Sequence, residues 1–450
     1  MVNNNKEEKV LILGLSKTGI AAAKYLARQG ASCFITELNE KNENNNESCL
    51  TDLKNAGIEV EIGRHSDEFI ENVTYAVTSP GIPPKSEIFG KLKEKNIKVI
   101  SEIELAYKNT EIPFVAITGT NGKTTTTMLV SHILSSIYKA PVCGNIGVPP
   151  ISLIDNQNDY LVCEVSSFQL ENTSDFAPLV AVFTNFTPDH INYHGSLKDY
   201  FNAKVKMFKN AKYAIFNAKD DKINEFAKNY KGEKFYFDDY NYKNASYIKN
   251  NAIYFKQNDI EEKIIDIDDI KLVGHHNYQN VMCSIIVAKL LNVPNEKIEE
   301  GIKSFESVEH RIELIQNVKK GIQKFYNDSK ATNPEATMVA LKSFIGKKVT
   351  LLVGGRDKNT SLNEFCVDVK KYINNVIVFG EAKERFYEEL KKSGYKNLHM
   401  TNKMFEAVDK AIDLNDEIVL LSPACASFDE FKSYEDRGIK FKEYVTNKLS

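Results

Sequence analysis

A chain of 450 residues with 58 Lys and Arg against 61 Asp and Glu, a formal net charge of −3, is too long for one core at about 100–200 residues per domain, and it has no charge excess to draw it to nucleic acid or a membrane surface. The opening MVNNNKEEK lacks the apolar core of a signal peptide, and no run approaches the roughly 20 apolar residues that span a bilayer, so a soluble, cytoplasmic protein is expected. Cysteines 33, 49, 143, 163, 283, 366 and 425 include no C-x-x-C pair, which fits free thiols in a reducing compartment rather than a disulfide framework or a zinc site.

Short apolar, β-branched runs alternate with longer amphipathic stretches throughout, the pattern of parallel sheets covered by helices; the expected class is α/β. In the first segment KVLILGLSKTGIAAAKYLARQG reads as strand, turn and helix, and SCFITE as a second strand one crossover later. The turn is G-x-S-x-x-G, with Ser16 where a dinucleotide fingerprint has a second glycine for close approach of the backbone to a pyrophosphate. It fits either plain helix–strand packing or a nucleotide-type ligand at the strands' carboxyl ends. LNEKNENNNES (38–48) reads as a polar loop without chemistry, and VTSPGIPP (77–84) as a strand end followed by a proline-rich turn. A boundary is expected near YKNTEIP, around 108–113.

FVAITGTNGKTTTTMLV (114–130) then carries an apolar strand into a phosphate-loop pattern. The usual loop has its first glycine six residues before the lysine. Here that position is Ile117 and the glycine is Gly119, so the loop is shorter, while Lys123, the Thr124 hydroxyl and the strand-to-helix context remain. The plain alternative is an ordinary junction whose helix N-terminus happens to be positive. In YLVCEVSSFQL a buried strand carries Glu164; such a carboxylate needs a structural ion pair or a metal, and with Thr124 it would hold Mg²⁺. VFTNFTPDHINYHG ends a further strand in Asp189 and His190. If SLKDYFNAKVKMFKN is helical, Leu197, Tyr200, Phe201, Val205, Met207 and Phe208 share one sector with Lys204 near its centre. A lysine there snorkels, pairs or changes its charge.

A second boundary is expected near 303–310. Beyond it GIQKFYNDSKATNPEA, KKVTLLVGGRDKN, NNVIVFGEAKE and DEIVLLSPACASFDEF each run an apolar strand into a polar loop, the place where such sheets gather functional groups.

Taken together, LGLSKTG, TSPGIP, GTNGKTT, GNIGVP, CEVSSFQL, NFTPDH, AKVKMF, GHHNYQN, HRIE, NDSKATNP, GGRDKN and LSPACASFDEFKSYEDRG, in this order and over nearly the whole chain, resemble the Mur ligases. NDSKATNP and SPACASFDEF resemble the D-glutamate-adding branch most. The short phosphate loop is that family's own form. The resemblance implies an N-terminal Rossmann-like UDP-binding domain (1–109), a central P-loop ATPase-like domain with a parallel sheet (110–305) and a C-terminal Rossmann-like, amino-acid-binding domain (306–450). It implies an ATP-dependent ligase that adds D-glutamate to UDP-N-acetylmuramoyl-L-alanine (UDP-MurNAc-L-Ala) through an acyl phosphate, acting as a monomer without nucleic-acid or membrane partners.

By the same resemblance, Gly119, Thr120, Asn121, Gly122, Lys123, Thr124 and Thr125 would cradle ATP, with Asn277, Arg311, Asp328 and Lys330 closing on the nucleotide. Thr124, Glu164, His190 and a carbamylated Lys204 would hold Mg²⁺ at two sites, and Lys123, Glu164, His190 and Lys204 would carry the chemistry. Ser16, Lys17, Thr18, Thr36 and Glu37, with Asn145, Ser166, Gln169 and His190, would hold the UDP substrate. Thr332, Lys358, Ser422 and Phe428 would hold D-glutamate. Two rival classes are a nucleotide switch of the GTPase type, which needs an N-K-x-D tetrapeptide the chain lacks, and an NAD-dependent oxidoreductase, which leaves the phosphate loop unexplained. Within the family the rival is another acceptor amino acid, as in folylpolyglutamate-type ligases.

Overall fold

A computed structural model of the chain describes residues 8–315 and 323–450. The opening residues read for a signal peptide, up to Glu7, and Gly321 and Ile322 of the GIQKF strand motif lie outside them. The strands fall into three sheets. Two compact units result: residues up to Asp269 together with Gln279–Lys303, and Ile270–Tyr278 together with Ser304–Ser450.

The first sheet contains β1 (Lys9–Leu13), β2 (Ser32–Glu37), β3 (Glu59–Ile62), β4 (Tyr75–Thr78) and β5 (Lys98–Ser101). Its order is β3-β2-β1-β4-β5, all parallel. The strand order therefore reverses between β1 and β4, whose carboxyl ends flank the crevice in which such sheets bind ligands. Val10 to Leu13 are fully buried, as a strand covered on both faces requires. Ser16 stops the extended backbone by accepting the Gly19 amide at 3.1 Å and starts the helix Lys17–Arg28.

The second sheet contains β6 (Phe114–Thr118), β7 (Val142–Gly144), β8 (Leu161–Glu164), β9 (Val180–Phe183), β10 (Tyr213–Asn217), β11 (Glu233–Phe237), β12 (Ala245–Lys249), β13 (Ala252–Gln257) and β14 (Ile260–Asp266), in the order β14-β13-β12-β11-β10-β9-β6-β8-β7. From β7 to β12 the pairing is parallel. The sheet then ends in an antiparallel meander that the expected parallel sheet did not include. Asn250 and Asn251 (φ 49° and 58°), then Asn258 and Asp259 (φ 51° and 66°), turn its corners in the left-handed region, the conformation that two-residue hairpin turns demand. One apolar core extends from Val10 and Ile12 under the first sheet to Phe183 and Phe216 under the second.

The third sheet contains β15 (Glu313–Leu314), β16 (Lys324–Asn327), β17 (Val349–Gly354), β18 (Asn375–Phe379), β19 (Leu398–Met400) and β20 (Ile418–Leu421), in the order β15-β16-β20-β17-β18-β19. All but the β15–β16 pair is parallel. Among the described residues no helix is long and apolar enough to cross a membrane, and all seven cysteines are free thiols.

Two local expectations are corrected. The helix around Lys204 spans Leu197–Val205 and gives way to a 3₁₀ turn at Lys206–Phe208. Ser196 caps it, so Leu197 sits in its first turn and is 39 % exposed rather than part of the apolar sector. The polar segment 38–48 is a loop only as far as Asn46. Asn42 Nδ2 donates to Glu37 Oε2 at 2.8 Å, Asn44 Nδ2 to the Leu15 carbonyl at 2.9 Å, and Asn46 caps a helix that already begins at Glu47.

Candidate active site

The apolar run of β6 ends at the phosphate loop because Gly119 has φ 151°, and a Cβ there would lie 1.9 Å from Thr184 Oγ1. Gly122, at φ 81°, is the N-cap of the helix Lys123–Leu134, and its Cβ would meet Asn280 Oδ1 at 2.6 Å. Both positions need glycine for conformation and for space. The segment after β9 braces the loop from outside: Thr120 and Asn121 amides donate to the Asn185 carbonyl (2.9 Å) and Oδ1 (2.8 Å), and Thr184 Oγ1 donates to the Asn121 carbonyl at 2.7 Å. Gly119→Ala should therefore distort the loop. Overpacking of this kind costs roughly 1–3 kcal/mol, so ATP affinity measured by calorimetry should fall about ten- to a hundredfold; unchanged affinity would mean the loop does not take the phosphates.

Two lysines converge on one carbonyl. Lys123 Nζ donates to Gly119 O at 3.0 Å and Thr120 O at 2.9 Å, and Lys204 Nζ donates to the same Gly119 O at 2.8 Å. Lys204 is 1 % exposed, with Nζ 4.7 Å from the centre of the Tyr200 ring. Burial, then the nearby Lys123 charge, hold its pKa well below the usual lysine range, against the opposing pull of Asp189 and Glu164. The lysine is therefore no snorkeller: its amine stays inside, next to the loop.

Glu164 closes β8 and is 2 % exposed. Its Oε1 accepts from Asn145 Nδ2 at 2.7 Å, while Oε2 is buried without a hydrogen-bond partner. A buried carboxylate oxygen left that way costs about 1–3 kcal/mol, so the site fits a cation that is not one of the protein's own. His190 sits at φ 52° with its ring 4.8 Å from Phe168 and 6.1 Å from Tyr200, and Nε2 is 3.4 Å from Asp189 Oδ2. Among the described residues no three His, Cys, Asp or Glu side chains group as a metal site; a Mg²⁺ bound at Glu164 would need further oxygen ligands, from Thr124, a modified Lys204 or the substrates. Thr124 and Thr125 are buried in the first helical turn.

At the crevice of the first sheet, Ser16 Oγ donates to Ser79 Oγ at 2.7 Å, and Lys17 and Thr18 open the helix with an exposed and a half-buried side chain. Glu37 gathers the Leu15 amide (3.0 Å), the Asn39 amide (2.8 Å) and Asn42. Thr36 stands apart: it is 1 % exposed, and its hydroxyl is engaged by Glu61, the Arg64 carbonyl and His65. Ser166 and Gln169 cap the helix Ser167–Glu171 reciprocally.

In the second unit the strand ends bring together Asp328, Ser422 and Arg311. Burial pushes the Asp328 carboxyl up to about 7, against the lowering effects of Ser422 and then Arg311. Ser422 Oγ donates to Asp328 Oδ2 at 2.7 Å, and Arg311 Nε is buried with no partner. Ser422 is fully buried and also bonded to Thr337 at 3.1 Å, so its hydroxyl serves the fold. Further along the same loop, the Ser427 hydroxyl is buried without a hydrogen-bond partner, beside the 59 % exposed Phe428. Lys330 Nζ lies 5.3 Å over the Tyr434 ring, Thr332 is half-buried, Lys358 is exposed, and Asn277 donates to the Val273 carbonyl at 2.8 Å.

The family profile for the Mur ligase middle domain matches residues 117–288, that for the MurD-like N-terminal domain 8–101, and that for the glutamate ligase domain 310–425. The UDP-N-acetylmuramoylalanine–D-glutamate ligase of Caldicellulosiruptor bescii is 38 % identical over 99 % of this chain and 99 % of its own, and the one of Ligilactobacillus salivarius 38 % identical over 99 % and 97 %. The chain belongs to the Mur ligase family. A solved Mur ligase, the UDP-N-acetylmuramate–alanine ligase of Thermotoga maritima, shares the fold at a TM-score of 0.58 and 18 % identity, covering 97 % of this chain and 99 % of that one.

For a Mur ligase, sequence reasoning missed several side chains. Tyr200 reads as core in the helical sector, yet its hydroxyl is 3.3 Å from Thr120 Oγ1. Thr184 and Asn185 brace the loop; Thr184 directly precedes NFTPDH and Asn185 opens it, but no local pattern marks either as a loop contact. His194 stacks on Phe168 and meets Ser167 Oγ at 2.9 Å; its place one helical turn after His190 was the available clue. Ser427 lay within a motif already quoted.

Proposed function

We propose that this chain is the ligase that joins D-glutamate to UDP-MurNAc-L-Ala in peptidoglycan precursor synthesis, consuming ATP. The observation that carries the chemistry is the convergence of Lys123 and Lys204 on Gly119 O close to Glu164, whose Oε2 has no partner. The acceptor is carried by the relatives, which are named for D-glutamate and match end to end.

Backbone amides from Gly119 to Thr124 cradle the phosphates, and Lys123 swings from the loop carbonyls to the terminal phosphate. Thr124, Glu164, His190 and a modified Lys204 would hold Mg²⁺ at two sites, and the metal would supply positive charge against the crowded phosphate oxygens. Lys204 meets CO₂ as the neutral amine: a C–N bond forms, a proton leaves, and the carbamate is an anion where an ammonium would repel the metal. The L-alanyl carboxylate of the substrate attacks the γ-phosphorus and ADP departs. The D-glutamate amine then attacks the acyl carbon, phosphate leaves with the former carboxylate oxygen, and the amine loses a proton. Ser16, Lys17, Thr18 and Glu37 hold the uridine end, and Asn145, Ser166, Gln169 and His190 the pyrophosphate and muramoyl arm. Asn277, Arg311, Asp328 and Lys330 complete the nucleotide site. Thr332, Ser427 and Phe428 line the acceptor pocket, and Lys358 offers a cation to a second carboxylate of the acceptor. The protein acts as a monomer in the cytoplasm.

Phosphate release with UDP-MurNAc-L-Ala and ATP, screened against D-glutamate, L-alanine, L-lysine and meso-diaminopimelate, tests the assignment. Turnover with D-glutamate alone is expected. Equal turnover with L-lysine would overturn the acceptor.

A further inference from the structure

Arg437 is the largest of the fully buried side chains, with no exposed surface, and it enters from the first turn of the helix Tyr434–Leu449. Its guanidinium donates to four neutral acceptors: Nε to Ser329 Oγ at 2.9 Å, Nη2 to Ser329 O at 2.9 Å and Cys425 O at 3.1 Å, and Nη1 to Ala426 O at 3.3 Å. Burial lowers its pKa to about 10, so it stays charged at neutral pH.

These acceptors lie in the loops that follow two neighbouring parallel strands, β16 and β20. The loop after β17, the next strand in the sheet, is tied to the same place. The Arg356 amide donates to Ala426 O at 2.8 Å, and a Cβ on Gly355 would lie 2.3 Å from Ala426 O and 3.0 Å from Arg437 Nη1. Ala424, between Ser422 and Ser427, is held at φ 58°, a strained conformation for a non-glycine residue that persists only where its surroundings fix it. The three loops carry Lys330 and Thr332, Ser427 and Phe428, and Lys358.

We propose that Arg437 is a positioning residue that sets the spacing of the three loops forming the acceptor amino-acid pocket. The inference rests on the proposed assignment of that pocket. Lysine at this position keeps the charge but not the planar fork that reaches both loops at once. Ser329→Ala removes one acceptor and leaves the guanidinium.

The test is steady-state kinetics of the full chain as wild type, Arg437→Lys, Ser329→Ala and the double variant, each with a thermal melt. Arg437→Lys should raise the KM for D-glutamate about tenfold or more while the KM for UDP-MurNAc-L-Ala stays within about twofold. Ser329→Ala should raise the D-glutamate KM less. The double variant should match Arg437→Lys alone, because the two groups act through one hydrogen-bonded network. A loss of kcat with every KM unchanged, a rise shared equally by all substrates, or full additivity in the double variant would overturn the proposal. A wild type that turns over another acceptor but not D-glutamate would sink the pocket assignment itself, a failure visible before any variant is made.

Discussion

Lys123→Ala should abolish acyl phosphate formation, lowering kcat by about 10²–10³-fold or more, the range found when one preorganised charge stabiliser is removed. The reason is local. The ammonium is already fixed between the carbonyls of Gly119 and Thr120 at 3.0 and 2.9 Å, at the start of the helix Lys123–Leu134, whose positive N-terminal end favours an anion. Folding should survive, since the side chain is only partly buried. Single-turnover ADP formation without D-glutamate isolates the step. A variant that still forms ADP at the wild-type rate would show that the phosphates bind elsewhere.

Lys204→Ala should lose most activity and regain part of it with a small carboxylate such as acetate. The side chain is 1 % exposed and ends beside the phosphate loop, so alanine leaves a polar-lined space that acetate can enter, restoring an anion near Glu164. Removing a buried polar amine that is bonded only to a carbonyl and a ring face also removes a desolvation cost, so the variant should melt close to the wild type. An inactive variant that no carboxylate rescues at any Mg²⁺ concentration would make Lys204 a structural group. Mass spectrometry of the intact wild type under CO₂ gives an independent reading, with a gain of one carboxylate on Lys204 expected.

The strand–turn–helix pairs were legible because each couples a short β-branched run to a polar turn: KVLIL to Ser16, FVAIT to Gly119. The charge at the end of LVCE announced Glu164, and helical phase alone put Lys204 in an apolar sector. Other features depend on tertiary packing that no local pattern encodes. The meander β12 to β14 was signalled by Asn250–Asn251 and Asn258–Asp259, but its pairing to the parallel sheet is a long-range event. Thr36 and Ser422 look like ligand hydroxyls in sequence, yet in the fold they are consumed by Glu61 and His65, and by Asp328 and Thr337. Arg437, at the end of a quoted motif, gave no sign that its guanidinium would be wholly buried, since arginine is rarely so unless its donors are met.

The most direct test of ATP-driven ligation through an acyl phosphate is isotope transfer. With UDP-MurNAc-L-Ala labelled with oxygen-18 at both oxygens of its alanyl carboxylate, ATP, Mg²⁺ and D-glutamate, each turnover should yield one inorganic phosphate that carries a single oxygen-18 and one amide product that keeps the other. Unlabelled phosphate accompanying amide formation would contradict the account.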